Sequence, residues 1–227
     1  STQAKTLFPY TTLFRSIVRA VQLGRRIFDN LRKSMFYILA VHVPIAGLAL
    51  LPVLMGWPVM LFPLHIAFLE LVIDPSCSMV FENEPLEAGA MQRPPRDPNA
   101  RLVGGRTLLI ALLQGAGALA CVVIAYMWGS TWLDERGTRA FVFVTLVLGN
   151  LLLLLSSRTG PQTLWQSLAV PNRTLWLVLG LTIAVLALTL YVPWLASLFQ
   201  LSPLAPADWL CAAMLSSASL VWFRLVR

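Results

Sequence analysis

His65-Ile-Ala-Phe-Leu-Glu-Leu-Val-Ile-Asp-Pro75 places two carboxylates, Glu70 and Asp74, and a proline inside a stretch otherwise apolar enough for a bilayer. An ionisable side chain at that depth is costly unless it faces a partner or a hydrated cavity, so it marks a functional site by default. The two acids are four residues apart, which sets both on one helical face until Pro75 interrupts it. Pro75 offers no N–H to the carbonyl of Leu71, and Pro44, in the apolar run before it, frees the carbonyl of Ala40 in the same way. Each helix is expected to kink or unwind there. Unpaired carbonyls at membrane depth are tolerated where they are buried in protein or line a cavity, and hard cations take oxygen ligands. The residues therefore predict a cation or proton pocket shared by two neighbouring helices, with Glu70, Asp74 and the carbonyls of Ala40 and Leu71 as oxygen donors. The competing reading is a kinked packing helix whose acids pair with His42 or His65. Two adjacent buried acids repel each other, which favours a cation or proton between them.

Composition supports a membrane protein. Of 227 residues 58% are hydrophobic and 12% charged, with mean hydropathy +0.75, against about a quarter charged in a soluble domain. The net charge of +7 comes from basic residues that flank apolar runs. They form no patch with interleaved aromatics, so no nucleic-acid partner is expected. Cys77, Cys121 and Cys211 are far apart within apolar runs and read as small buried hydrophobes. The N-terminal residues lack the basic start, apolar core and small-residue cleavage site of a leader, so the spans themselves are expected to direct insertion.

Six apolar segments approach the length of about 20 residues that crosses the hydrocarbon: 35–55, 61–80, 107–128, 140–156, 174–194 and 207–223. Between them lie Gly56-Trp57-Pro58, Arg93-Pro94-Pro95-Arg96-Asp97-Pro98-Asn99, Asp134-Glu135-Arg136-Gly137, Gly160-Pro161 with Pro171-Asn172, and Pro203 with Pro206. The fold class expected is an all-α membrane protein with a six-helix domain over 35–227. With six spans, every Lys and Arg except Arg136 and Arg139 falls on the side of the two termini, so both termini are expected in the cytoplasm. The expected location is the plasma (inner) membrane.

Residues 17–34 carry Ile17, Val21, Gly24, Ile27, Phe28 and Leu31 at helical spacing and run into the first span without a breaker. Two readings stand: a basic helix lying on anionic lipid, or a cytoplasmic stalk continuing the first span as one rod able to carry force.

His42 lies two residues before Pro44, at a depth similar to the carboxylates, where it can act as ligand, proton carrier, counter-charge or plain packing residue. His65 sits nearer the outer end. Asn150 interrupts a Leu-rich run in the fourth span, reaching either toward the cation cavity or into an interhelical hydrogen bond. Span three has Ala111, Gly115, Gly117 and Cys121, whose spacing permits close helix approach. Spans five and six are chemically quiet, with Trp176, Trp194, Trp209 and Trp222 near their ends as interfacial anchors.

Three stretches together carry a family likeness. Gly24-Arg-Arg-Ile-Phe-Asp-Asn-Leu-Arg-Lys-Ser34 resembles the stalk entering the fifth transmembrane helix of P-type cation-transporting ATPases. Leu71-Val-Ile-Asp74 resembles their sixth-helix ion motif, and Met91-Gln-Arg-Pro-Pro-Arg96 the cytoplasmic loop between helices six and seven. Order, spacing and layout agree over 17–227, and the likeness is closest to the type II branch. It implies the C-terminal half of a transport domain, helices five to ten. By position, Glu70 and Asp74 fall on sixth-helix ligand positions, and His42 on a fifth-helix ligand position usually held by a polar residue. Ile45 stands where calcium pumps of the sarcoplasmic type have a carboxylate, Ile73 where they have a hydroxyl, and Val147 where a further acidic ligand is expected. These departures imply at most one transported ion, Ca2+ or another cation, or a proton.

The family forms its aspartyl phosphate at a DKTGT motif, which this sequence lacks. The resemblance therefore implies a fragment, inactive alone, of a pump whose ATP and Mg2+ chemistry, first four helices and cytoplasmic domains lie in a missing N-terminal half. In that pump, phosphorylation is expected to tilt the stalk and shift the prolines. Residues 1–16 lack the Gly- and Asp-containing character expected where a phosphorylation domain enters the stalk, and read as an artefactual leader such as translated adapter sequence. A stand-alone six-span permease using Glu70 and Asp74 as a proton-coupled site is the alternative, together with a structural subunit. Inverted repeats would favour the permease, and spans one to three do not resemble four to six.

Overall fold

A computed structural model describes residues 2–87, 89–95, 102–158 and 170–226, with side chains from residue 12 onward. The described residues form seven α-helices and no strand: α1 (Thr2–Met55), α2 (Pro63–Pro75), α3 (Gly105–Gly129), α4 (Glu135–Arg158), α5 (Arg173–Tyr191), α6 (Pro193–Leu198) and α7 (Pro206–Val226). A π-helical turn, Ser76–Val80, extends α2, and a 3-10 turn, Ala90–Gln92, lies in the following loop. Six helices are long and apolar enough to cross a membrane, and they coincide with the six segments expected. Gly160, Pro161 and residues 96–99 of the expected breaks lie outside the described residues.

Residues 17–34 and the first span are one helix. At 54 residues α1 is about 80 Å long at 1.5 Å per residue. It runs unbroken through Pro44, so the local unwinding expected there is absent; the unwinding expected at Pro75 occurs, as the π-helical turn. The helix begins at Thr2, so the stretch set apart as a leader is helical as well. Much of the stalk's apolar stripe stays exposed, Ile17, Val21, Ile27 and Leu31 among it, while Asn30 and Ser34 are buried.

α4 is the hub. Its apolar window is 83% buried against 22–39% for the other spans, because α1, α3, α5 and α7 all pack on it. Phe141, Phe143, Leu146, Leu153 and Leu154 are the largest of its fully enclosed side chains. Helix starts follow capping chemistry: Asp134 Oδ1 accepts the Gly137 N–H at 2.9 Å ahead of α4, Asn172 Oδ1 accepts the Leu175 N–H at 3.1 Å at the start of α5, and α7 opens on Pro206. Small residues on α3 do the close packing expected of them, Gly115 against α1 and Gly117 against Trp222 of α7. Trp222 and Trp209 do more than anchor, since their indoles donate to Leu113 O at 2.8 Å and Tyr191 Oη at 2.9 Å. The three cysteines are free and half-buried rather than enclosed.

Candidate cation-binding face

α2 opens with Phe62 N–H donating to Nδ1 of His65 at 3.1 Å, an imidazole standing in for a capping side chain. His65 is fully buried, edge-on to Phe143 (4.7 Å) and near Phe199 (5.5 Å), so it fixes the start of the helix from within the core. Two turns on, Glu70 is 47% exposed and Asp74 is exposed. Ser76 Oγ donates to Val72 O and Ser78 Oγ to Asp74 O, each at 2.7 Å, so serine hydroxyls take up carbonyls around the proline. Leu71, whose carbonyl Pro75 deprives of an N–H, is 63% exposed.

Opposite on α1, His42 Nδ1 lies 2.8 Å from Ile38 O and its Nε2 lies 4.0 Å from Glu70 Oε1. A carbonyl only accepts, so the Nδ1 proton is committed to Ile38 and the Nε2 side faces the carboxylate. This is the arrangement of a metal-ligating histidine, whose second nitrogen is oriented by a backbone carbonyl. The same geometry serves a His+–Glu pair when Nε2 is protonated. Both side chains are about half-exposed, which leaves room for an ion or water between them.

The remaining sequence candidates lie elsewhere. Ala40 is fully buried and its carbonyl faces α3: a Cβ built on Gly115 would stand 2.5 Å from that oxygen. Asn150 is 1% exposed and points between α3 and α7 into a small cavity with Ser216 and Ser219, away from the carboxylates. Ile73 and Val147, the apolar replacements at family ligand positions, are buried in the core. Hence the structure brings His42 to Glu70, leaves Asp74 one turn along the same helix, and separates Ala40 and Asn150 from them. The closed pocket expected from the sequence is not formed by this chain alone, because α1 meets the second span chiefly through its π-helical turn while the acid-bearing face turns outward. Among the described residues, no three His, Cys, Asp or Glu side chains gather as a metal site.

Three buried or clamped polar clusters escaped the sequence reading. Arg158 Nε donates to Glu84 Oε1 at 2.5 Å, and Asn172 Nδ2 donates to the same oxygen at 2.7 Å and to Val80 O at 3.0 Å. Asn30 Nδ2 of the stalk donates to Glu84 O at 3.0 Å. One turn after the π-helix, Glu84 thus ties α1, α4 and α5 together. At the other end of α4, Arg139 is 3% exposed and donates to Val59 O (2.9 Å), Gln200 O (2.8 Å) and Glu135 (2.6 Å), its guanidinium lying 4.9 Å from the Phe62 ring centre. On the stalk, Lys33 pairs with Glu87 at 2.7 Å, Arg93 joins Glu87 (2.5 Å) to Asp29 (3.2 Å), and Arg25 donates to Ala90 O and Arg93 O. Burial works to raise the Glu87 pKa, but hydrogen bonds and charge from Lys33 and Arg93 outweigh it and hold the carboxyl below its ordinary range. Asn172, read from sequence only as part of a break between spans, is a residue type favoured at an N-cap and was the one signal that could have pointed to these clusters.

Comparison with known proteins gives the framework for this face. The family described as "Cation transporting ATPase, C-terminus" matches residues 58–227. The chain is 27% identical over 221 residues to the calcium-transporting ATPase of Bacillus subtilis (strain 168), covering 95% of this chain and 24% of that protein. It is 24% identical over 215 residues to calcium-transporting ATPase 1 of Lactococcus lactis, covering 94% and 24%. It is 29% identical over 208 residues to the probable cation-transporting ATPase F of Mycobacterium tuberculosis (strain ATCC 25618 / H37Rv), covering 86% and 22%. The chain spans about a quarter of the length of the curated relatives it matches. With six apolar spans and a family match across three quarters of its length, the chain belongs to the cation-transporting P-type ATPases as their C-terminal membrane part.

Proposed function

We propose that this chain supplies one wall of the ion pathway of an ATP-driven cation pump, with Glu70, Asp74 and His42 as its ion-facing groups. The observation carrying this reading is the His42–Glu70 approach at 4.0 Å on a half-exposed face, with Nδ1 of the imidazole already committed to Ile38 O. Charged and polar groups at bilayer depth are expensive when they face lipid. An exposed acid pair on a span is therefore a surface that further helices cover, and the relatives are some four times longer than this chain.

Two carboxylates and one imidazole suit a single divalent cation or a proton better than two calcium ions. Ile45, Ile73 and Val147 remove the additional oxygens that a second ion would need. Calcium is the cargo named for the Bacillus and Lactococcus relatives, which makes it the first ion to test. Conformational work reaches the face through α1, whose unbroken helix links the cytoplasmic stalk to His42 without a joint. A tilt of the stalk changes the His42–Glu70 separation and, with it, affinity. ATP and Mg2+ act in the cytoplasmic domains of the pump, outside this chain.

The test is cation-dependent phosphorylation of the full-length pump bearing Glu70→Ala and Asp74→Ala. Loss of the calcium-stimulated phosphoenzyme is expected; stimulation equal to the unaltered pump overturns the assignment. Proteoliposomes holding only this chain provide the control, since ATP-independent cation or proton uptake there would establish the permease instead.

A further inference from the structure

Between α3, α4 and α7 lies a small cavity with about 10 Å³ of room for the centre of a water-sized sphere, lined in part by Cys121, Thr145, Asn150, Ser216 and Ser219. Asn150 is 1% exposed, and its Nδ2 has no hydrogen-bond partner. Buried polar groups are almost always paired, so an orphaned amide calls for an occupant.

The hydroxyls around it have already spent their protons. Thr145 Oγ1 donates to Phe141 O at 2.8 Å, Ser216 Oγ lies 2.8 Å from Ala212 O and 2.9 Å from Thr145 O, and Ser219 Oγ donates to Ser216 O at 2.5 Å. Each hydroxyl oxygen keeps lone pairs but has no proton left to give. The wall thus offers donors from one side and acceptors from the others, with no formal charge.

The geometry points to a hydration site: a single water, held between the three helices, that accepts from Asn150 Nδ2 and donates to two of the hydroxyl oxygens. Three bonds is what a buried water usually makes, and the room matches one molecule. A monovalent cation has the right size too, but the Nδ2–H groups pointing inward would repel it. Through that water Asn150 joins α4 to α3 and α7.

Water-edited, proton-detected solid-state NMR of the full chain in liposomes tests this. The sequence has five asparagines, at 30, 83, 99, 150 and 172, so Asn-selective 15N labelling gives a small set of side-chain amides, with Asn150→Asp identifying the one at issue. A strong water-to-amide transfer at Asn150 is expected, unchanged when Na+ or K+ is replaced by N-methylglucamine. Paired Ser216→Ala and Ser219→Ala substitutions should reduce that transfer at least twofold while the remaining asparagine resonances hold their positions. A correctly folded chain with no water transfer at Asn150 means a dry cavity and overturns the proposal. A resonance that shifts with Na+ or K+ overturns it in favour of a cation.

Discussion

Gly115 of α3 lies under the carbonyl of Ala40 so closely that a Cβ in its place would stand 2.5 Å from the oxygen and 2.6 Å from Val43 Cβ. The carbonyl that Pro44 strips of its N–H is thus covered by a glycine backbone. Gly115→Ala should therefore destabilise the α1–α3 contact by about 1–3 kcal/mol, the usual cost of overpacking. Gly180→Ala on α5 meets nothing within 4 Å and should instead stabilise by about 0.5–1 kcal/mol through helix propensity. Tryptophan fluorescence across a denaturant series in mixed micelles measures both; equal effects would refute the close approach.

The Glu84–Arg158 pair predicts a particular pattern of loss and rescue. Arg158→Met leaves a carboxylate buried among α1, α4 and α5 and should cost about 3–5 kcal/mol. Adding Glu84→Gln removes that charge while keeping an oxygen for Asn172, and most of the stability should return. Unfolding of the single and double variants in the same micelles decides it, and a double variant no better than Arg158→Met would show that the ion pair is not the cause.

Six spans, the helix over 17–34 and the acids on α2 were legible because length, hydropathy and charge are local properties of the chain. His42 and Glu70 could be brought together from sequence because both sit at similar depth on adjacent spans. Ala40 and Asn150 were misdirected for one shared reason: depth is readable from position along a helix, whereas the direction a residue faces depends on which helices pack on it. Pro44 frees a carbonyl, but α3 claims it through Gly115. Arg139 and Glu84 were invisible as hubs because their partners lie across loops, 80 and 61 residues away for Val59 and Gln200, and 74 for Arg158.

Arg139 holds two loops at once, so its removal should loosen both. Arg139→Lys keeps the charge but cannot span Val59 O, Gln200 O and Glu135 together. Val59 is half-exposed, so water can replace part of what its carbonyl loses, and the cost of each lost bond should lie near the ordinary net value of about 0.5–1.5 kcal/mol. Hydrogen exchange read by mass spectrometry should rise in the segments around Val59 and Gln200 together. Faster exchange in one alone would mean the two loops are not joined through the guanidinium.

Glu87 makes the stalk–loop clamp sensitive to acid. Its carboxyl is held below its ordinary 4.5, so in the folded chain it stays ionised and paired with Lys33 and Arg93 at any pH above that value. A group whose pKa falls on folding contributes stability that is complete above the unfolded value and is lost as pH drops through the folded one. The Lys33–Glu87–Arg93 contacts should therefore be constant from neutrality down to about pH 4.5 and weaken below it. Because the carboxylate is a third exposed, solvent and salt screen it, and the same weakening should appear at neutral pH in high salt. Limited proteolysis near Arg93 during an acid titration measures the clamp directly. In Glu87→Gln the loop should be cleaved readily at every pH, and a titration unchanged by that substitution would move the acid-sensitive group elsewhere.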